Sequence, residues 1–205
     1  MNRIIPWSHD LLAEVVSPGD LAVDLTAGRG RDTLALWQLV GQAGQVIAFD
    51  VQAAALEVTQ QCLLDAGAPV RIASEGHLPV PLQSGIDLIG ECHSRYSEVV
   101  STAPAAIIAN LGYLPGGNQE LVTQPETTVA ALEQALESLV MGGRLAVVVY
   151  PGHAGGQIEA TRVGELFSGL DNSMFDVLQC LLCNRYQAPG LFVAEKRTGV
   201  GRGRC

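Results

Sequence analysis

Short apolar runs alternate along the chain with longer segments in which apolar residues recur at helical spacing. The short runs are rich in Val, Ile, Leu and Ala and predict buried strands, whereas the longer segments predict amphipathic helices. A regular alternation of strand and helix favours a parallel sheet covered on both faces. The predicted fold is therefore α/β, a doubly wound and mostly parallel seven-stranded sheet. The predicted strands are 21–25, 46–49, 70–73, 105–109, 144–150, 174–183 and 191–195.

The helices are predicted from the same periodicity and from the residues at their ends. A first helix within 3–16 is expected to be capped by Ser8, and a later one is expected to be capped by Thr127 or Thr128. The segment 86–100 reads as a helix, with a strand over 86–91 followed by a helix as the alternative. The other predicted helices are 32–40, 52–66, 129–140 and 159–167.

Composition limits the possible classes of protein. With 205 residues, 48% of them hydrophobic, the chain predicts one domain over 1–197 followed by a flexible basic tail over 198–205. A net charge of -9 argues against non-specific binding along a polyanion. No secretory signal and no apolar run of membrane-spanning length are found, so a cytoplasmic protein with no membrane partner is expected.

Five cysteines are too few for a disulfide framework in a chain of this length. Cys180 and Cys183 have the spacing of a zinc ligand pair. They fall in a predicted strand, however, where a separation of three places the two sulfurs on opposite faces. No metal site is therefore predicted.

A glycine-bearing turn after the first strand is the first candidate site. Gly28 and Gly30 allow the backbone to approach a ligand closely, and a helix begins at Asp32. The next strand ends in Asp50, where a carboxylate can accept hydrogen bonds from both hydroxyls of a ribose. The two strand-to-helix units together predict an adenosine site.

Three ligand assignments compete for this turn. A dinucleotide fingerprint would have a third glycine where Thr33 stands. A pyrophosphate would also be repelled by Asp24 and Asp32, which flank the turn. The sulfonium and ammonium groups of S-adenosylmethionine suit such an acidic setting, so this cofactor is predicted. The remaining alternative is a turn that only connects a strand to a helix.

A second candidate site follows the strand 105–109. Its glycine-rich loop carries Asn110 and Tyr113 at a spacing that resembles the N-P-P-Y loop of amino-group methyltransferases. An amide oxygen, backbone carbonyls and an aromatic face could there meet a substrate nitrogen. Histidines stand near the same sheet edge: His9 early in the first helix, and His77 and His153 after strands. If 86–91 is a strand, His93 inherits the position expected for His77.

In order and spacing these motifs resemble a family of RNA methyltransferases long labelled rRNA methylases. The resemblance covers residues 3–197, and its most specific part is the string Asn110-Leu111-Gly112-Tyr113-Leu114-Pro115-Gly116-Gly117-Asn118. Members of that family methylate the aminomethyl group of 5-aminomethyl-2-thiouridine at the wobble position of tRNA. The other matching strings are His9-x-Leu-Leu, Asp24-x-Thr-Ala-Gly-x-Gly-x-Asp-Thr-Leu, Phe49-Asp50-x-Gln52, Thr127-Thr128 and Tyr150-x-Gly152-His153.

The resemblance implies a Rossmann-like class I methyltransferase that uses S-adenosyl-L-methionine and binds the anticodon arm of tRNA. The alternatives are a methyltransferase for rRNA or a small-molecule amine, and a cofactor-binding module without catalysis. The acidic, apolar-rich chain is also compatible with a homodimer.

The resemblance also implies roles for individual residues. The implied cofactor contacts are Asp24, Thr26, Gly28, Gly30, Asp32 and Thr33 at the methionine part, Asp50 and Gln52 at the ribose, and His77 at the adenine. The implied catalytic residues are Asn110, Tyr113 and His153. The predicted substrate contacts are His9, Gly112, Pro115, Gly116 and Asn118. The segment 78–104 is longer than in relatives. His77 and His93 are alternatives at the adenine, depending on whether 86–91 is a strand.

Overall fold

The computed structural model describes residues 4–73, 84–112, 122–152 and 155–198. Strands and helices alternate through these ranges, as the hydrophobic pattern predicts. The helices are α1 Ile4–Ala13, α2 Arg31–Val40, α3 Ala53–Asp65, α4 Tyr96–Val99, α5 Pro125–Ser138 and α6 Gly156–Ser168, with a 3-10 turn at His93–Arg95. The strands are β1 Leu21–Asp24, β2 Gln45–Phe49, β3 Val70–Ile72, β4 Gly85–Ile89, β5 Ala106–Asn110, β6 Arg144–Val149, β7 Phe175–Cys180 and β8 Gly190–Lys196.

The strands form one sheet in the order β3-β4-β2-β1-β5-β6-β8-β7. All neighbours from β3 to β6 pair in parallel, and β8 runs antiparallel to both β6 and β7. The described chain thus has eight strands rather than the predicted seven, while the doubly wound arrangement and the terminal hairpin are confirmed. The strand order reverses between β1 and β5, and ligands of such sheets bind at the carboxyl ends of those strands.

Both faces of the central strands are buried, which explains the continuous apolar runs in the sequence, whereas the edge strands β3 and β7 are partly or mostly exposed. Successive residues of β1 point to opposite faces, so Ala22 and Val23 are each fully buried, but in different halves of the core. Helices α1, α2 and α3 cover one face, where Leu36 packs, and α4, α5 and α6 cover the other, where Leu132 packs. Each fully buried leucine contributes about 1.5–3 kcal/mol to stability.

The helical prediction for 86–100 is wrong, and the alternative of a strand followed by a helix is right. β4 is buried at every position, so its apolar run resembles a buried helix as much as a strand. Asp87 looks like a solvent-facing position, yet it is 1% exposed. Its carboxylate accepts hydrogen bonds from Arg71 on β3 and from Gln45 on β2, at 3.1 Å from the Gln45 Nε2. The acidic residue therefore lies within the sheet because both neighbouring strands supply donors.

Two predicted helix caps are also wrong. α1 begins at Ile4, so Ser8 lies inside the helix and donates its hydroxyl to the Ile5 carbonyl at 2.7 Å. α5 begins at Pro125, a residue whose fixed φ and missing N–H suit the first turn of a helix. Thr127 and Thr128 consequently lie within the first turn of α5 rather than before it.

Within the described ranges, no helix is both long and apolar enough to span a membrane.

Candidate functional site

The glycine turn between β1 and α2 is held from two sides. The Gly28 amide donates to the Asp50 carboxylate at 2.9 Å, and the Thr59 hydroxyl of α3 donates to the Gly28 carbonyl at 3.1 Å. Gly30 has a φ of 76°, a left-handed conformation that favours glycine. A Cβ at Gly30 would also lie 3.1 Å from the Cα of Thr59. The turn is therefore a fixed stretch of backbone with space only for glycine at its second bend.

Asp50 lies immediately after β2 and is oriented by backbone amides. One carboxylate oxygen accepts from the Gly28 N–H and the other from the Gln52 N–H, each at 2.9 Å. Burial raises the pKa of Asp50, and these two amides oppose that rise. Each carboxylate oxygen has more than one acceptor site, so both can also accept a hydroxyl hydrogen from a ligand. This is the chemistry that the two hydroxyls of a ribose require.

Asp24 is fully buried at the end of β1. Its carboxylate accepts the Thr33 hydroxyl at 2.6 Å and the Thr26 amide at 2.9 Å. Burial raises the pKa of Asp24 to about 7, and the negative charge of Asp32 adds to the rise. A cation placed beside this carboxylate would relieve both effects.

Asp32 is the centre of a group of side chains that we call the Asp32 network: Asp32, His9, Asn110 and Tyr150. The His9 Nε2 lies 2.7 Å from one Asp32 oxygen, and the Asn110 Nδ2 donates to the other at 3.2 Å. Tyr150, directly after β6, forms a hydrogen bond with the Asn110 side chain; its pKa is raised by burial and by the charge of Asp32. The Asn110 backbone amide donates to the Thr26 hydroxyl at 2.8 Å. The network therefore joins α1, α2, β5 and β6 at the point where the strand order reverses.

His93 follows β4 and faces the same crevice. Its Nδ1 lies 3.2 Å from the Leu25 carbonyl, and its ring interacts with the charge of Asp50. Burial lowers the pKa of His93, which favours the neutral imidazole. Its Nε2 is buried and has no hydrogen-bond partner among the described residues. A buried imidazole nitrogen of this kind is available to a ligand that reaches it from the crevice.

The residues of this crevice fit a cationic adenosyl ligand. Asp24 interacts repulsively with Asp32 and Asp50, so three carboxylates already oppose one another around the glycine turn. A pyrophosphate would add charge of the same sign, whereas a sulfonium and an ammonium would neutralise it. Sheet order, glycine turn and ribose-type carboxylate together define a class I methyltransferase that depends on S-adenosylmethionine.

Comparison with known proteins places the chain in a family. The family model described as "Putative rRNA methylase" matches residues 46–196. The tRNA (mnm(5)s(2)U34)-methyltransferase, chloroplastic, of Arabidopsis thaliana is 36% identical over 197 residues, which are 93% of this chain and 68% of that protein. The chain belongs to this rRNA methylase family, and it is an S-adenosylmethionine-dependent methyltransferase.

Two crystal structures of similar proteins have the same fold. A "putative rRNA-methylase" from Clostridium thermocellum is 34% identical, with a TM-score of 0.85 over 96% of this chain and 98% of that one. A "putative methyltransferase" from Streptococcus mutans, in complex with S-adenosylhomocysteine, is also 34% identical, with a TM-score of 0.80 over 96% of this chain and 99% of that one. That second structure contains the demethylated product of the cofactor.

Many of the residues predicted for the site lie together at this edge of the sheet. Their individual roles remain predictions. The hydrogen bonds and chain positions described above place the following residues at this edge of the sheet: His9, Asp24, Thr26, Gly28, Gly30, Asp32, Thr33, Asp50, Gln52, Asn110 and Gly112. The predicted residues that lie outside the described ranges are His77, Tyr113, Pro115, Gly116, Asn118 and His153.

Further residues support the site without having been predicted. Glu159 of α6 is 3% exposed and accepts hydroxyl hydrogens from Thr123 at 2.8 Å and Thr128 at 2.7 Å. Thr123 in turn accepts the Gly112 amide at 2.9 Å and donates its own amide to the Gly112 carbonyl at 3.0 Å. We call Glu159, Thr123, Thr128 and Gly112 the loop clamp, because it ties together the two ends of the segment 113–121.

The sequence held an indication for one of the unpredicted residues. Tyr150 is the last residue of the predicted strand 144–150, and the carboxyl end of such a strand borders the crevice of a doubly wound sheet. Glu159 offers no comparable indication, since its partners are 31 and 36 residues away. Thr59 is likewise identified only by the packing of α3 against the glycine turn.

Proposed function

We propose that the protein methylates a primary amine of tRNA, namely the aminomethyl group of 5-aminomethyl-2-thiouridine at the wobble position. The observation that carries this proposal is the Arabidopsis relative, which is named for that reaction and aligns with 93% of this chain at 36% identity. The crevice supports it because a nitrogen substrate needs a nearby hydrogen-bond acceptor, and the Asp32 network supplies several.

The described residues suggest how the cofactor is held. Asp50 and the Gln52 segment would bind the ribose. The Nε2 of His93, which has no hydrogen-bond partner among the described residues, would face the adenine. The glycine turn would hold the methionine part, with the carboxylates of Asp24 and Asp32 nearest its charged groups. When bound, S-adenosylmethionine supplies a methyl group activated by a positively charged sulfur.

The substrate amine must reach the crevice in its neutral form. If its pKa resembles that of lysine, neutrality at pH 7 costs about 4–5 kcal/mol. Desolvation and a neighbouring positive charge both lower an amine's pKa, and a base can accept the proton. His153 is the proposed proton acceptor, while Tyr113 is proposed to stack on the uracil or to face the cationic sulfur.

Asn110 is proposed to orient the amine. Its amide nitrogen donates to Asp32, and its amide oxygen has two acceptor sites, one of which would accept an N–H of the substrate. Thr26 fixes the backbone of Asn110, and Asp32 with Tyr150 fixes its side chain. Most of the rate enhancement is then expected from positioning, because the acceptor is held before the substrate arrives.

Mass spectrometry of tRNA nucleosides tests the proposed function. Purified protein, S-adenosylmethionine with a labelled methyl group and tRNA carrying 5-aminomethyl-2-thiouridine are incubated, and the digested nucleosides are separated. We expect label in 5-methylaminomethyl-2-thiouridine and in no other nucleoside. The proposal would be contradicted if the wobble nucleoside stayed unlabelled while the same enzyme preparation methylated another substrate.

The second candidate substrate is rRNA, favoured by the description of the matching family. The same labelling experiment with ribosomal RNA distinguishes the two, since a labelled rRNA nucleoside and an unlabelled tRNA would select this candidate.

The Arabidopsis relative is named as chloroplastic. A cytoplasmic location for the present protein therefore remains a prediction.

A further inference from the structure

An open cavity of about 680 Å³ lies beside the catalytic crevice. Its walls come from the ends of β6 and β7, the start of β8, the first turns of α6, and the turn 181–189 that joins β7 to β8. β6 and β7 both pair antiparallel with β8, so their carboxyl ends lie at the same edge of the sheet as Asn110. Pro151, in the wall, directly follows Tyr150 of the Asp32 network. The cavity therefore adjoins the position expected for the methylated group.

The cavity wall differs in charge from the rest of the chain. The protein carries a net charge of -9, yet none of the described residues that line this cavity is acidic, and Arg185 supplies a guanidinium. The side-chain amides of Gln157, Gln179 and Asn184 add both donors and acceptors. Such a wall suits a ligand with a negative charge and with polar edges.

The turn 181–189 also presents an aromatic ring to solvent. Tyr186 is 92% exposed and is adjacent in the chain to Arg185. Gln187 follows with a φ of 54°, an uncommon conformation for a residue other than glycine or asparagine. An exposed aromatic ring beside a guanidinium is the combination with which proteins stack an unpaired base and contact its phosphate.

We propose that this cavity binds an unpaired nucleotide that neighbours the methylated nucleotide in the RNA substrate. Tyr186 stacks on the base, Arg185 contacts the phosphate, and the amides of Gln157 and Gln179 face the polar edge of the base. This inference rests on the proposed function, because it takes RNA as the substrate. It gives an acidic protein a local site for a polyanion.

Steady-state methylation of an anticodon stem-loop RNA containing 5-aminomethyl-2-thiouridine tests the proposal. The variants are Tyr186→Ala, Tyr186→Phe and Arg185→Ala. Arg197→Ala is the matched control, since Arg197 is also partly exposed but contacts Asp176 at the opposite end of β7. The affinity for S-adenosylhomocysteine, the thermal unfolding temperature and the molar mass by light scattering are measured for every variant.

We expect Tyr186→Ala to raise the KM for the RNA by about 10- to 100-fold. Arg185→Ala should raise it by about tenfold. The affinity for S-adenosylhomocysteine and the unfolding temperature should stay unchanged. Tyr186→Phe should retain most of the activity, because it keeps the stacking face, and Arg197→Ala should behave like the unchanged protein.

Methylation by the unchanged protein together with an unaltered KM in Tyr186→Ala would overturn this inference and leave the proposed function intact. If the unchanged protein methylates none of the RNA, the proposed function fails and the inference fails with it. A change of molar mass in Tyr186→Ala would identify the turn as a contact between two copies of the chain, which also contradicts the proposal.

Discussion

Asp50 is positioned before any ligand binds, because two backbone amides fix its two oxygens. A carboxylate held in this way need not reorganise when it accepts the hydroxyls of a ribose. One of those amides belongs to Gly28, so the same contact also fixes the glycine turn. The proposed ribose and methionine sites therefore share one hydrogen bond, the one between the Gly28 amide and the Asp50 carboxylate.

Replacing Asp50 with alanine should weaken the binding of S-adenosylhomocysteine by about 10- to 100-fold, because hydrogen bonds to an ionised acceptor are lost. Isothermal titration calorimetry measures this change. Asp65→Ala is the matched control, since Asp65 is exposed at the end of α3 and its side chain accepts a hydrogen bond from Gln61 on the same helix. Equal affinities in Asp50→Ala and the unchanged protein would refute the ribose assignment.

Asn110→Ala should lower kcat by about 100-fold while the affinity for S-adenosylhomocysteine remains within a few-fold of normal. The physical reason is that the proposed amide contact orients the substrate amine rather than the cofactor. Single-turnover methylation and calorimetry separate the two effects. An exposed asparagine before β7, Asn172, serves as the control, and an Asn110→Ala enzyme with full turnover would contradict the assignment.

Asp24 predicts how stability depends on pH. Its pKa is raised to about 7 in the folded protein, above the 3.8 of an ordinary aspartate. Between those values the folded state holds a proton that the unfolded chain has released, so the free energy of unfolding falls as the pH rises. Between about pH 5 and pH 7 the contribution of Asp24 falls by about 2 kcal/mol.

Urea unfolding of the ligand-free protein measures this dependence. Asp24→Asn should flatten the decline, because asparagine does not titrate; a smaller slope remains from Asp50, whose pKa is also raised. If Asp24→Asn keeps the full slope of the unchanged protein, Asp24 is not the group that titrates.

Single residues differ in how far the sequence predicts them. Asp24 lies at the end of one apolar strand and Asp50 directly follows the next, and the sheet topology alone brings them to one edge. The predicted position of His93 depended on whether 86–91 is a strand or a helix, since His93 lies at the crevice only if a strand precedes it. Its hydrogen bond to Leu25 joins residues 68 positions apart, and no local pattern encodes such a distance.

Among the elements, the loop clamp links α5 and α6 to the end of β5. Glu159 lies in the first turn of α6, where a negative charge is favourable. Through Thr123 it fixes Gly112, so the start of the proposed substrate loop is tied to the core. We therefore propose that the clamp acts on the substrate through the position of Gly112 rather than by direct contact.

Glu159→Gln should lower kcat by about tenfold or more, because an amide group cannot accept both threonine hydroxyls and the loop end shifts. The affinity for S-adenosylhomocysteine should change little. Glu165→Gln on the same helix is the matched control, since Glu165 is exposed and lies 3.7 Å from Arg162. Equal kcat values in Glu159→Gln and the unchanged protein would show that the clamp does not position the loop.

The ends of helices and strands were predictable only where a residue such as glycine or proline marks them in the sequence. Gly41 and Gly67 mark the ends of α2 and α3, whereas Pro125 begins α5 earlier than the threonines indicate. β4 was only the second choice for its segment, because burial on both faces removes the alternation that identifies a strand. The partners of Asp87 lie on two other strands, and only the folded sheet brings them together.

At the scale of the whole molecule, the doubly wound sheet follows from the alternation of apolar runs and amphipathic segments, and the reversal between β1 and β5 fixes where the ligand lies. Charge then determines which ligand is favoured. The carboxylates of Asp24, Asp32 and Asp50 surround a backbone turn that could otherwise receive a phosphate. Their combined field favours a cationic methyl donor.

Calorimetric titration of the purified protein with S-adenosylmethionine, 5′-methylthioadenosine and NAD tests this electrostatic selection most directly. We predict that S-adenosylmethionine binds tightest, that uncharged methylthioadenosine binds more weakly, and that NAD gives no heat of binding. Binding of NAD, or equal affinities for the charged and the uncharged adenosyl ligand, would contradict the account.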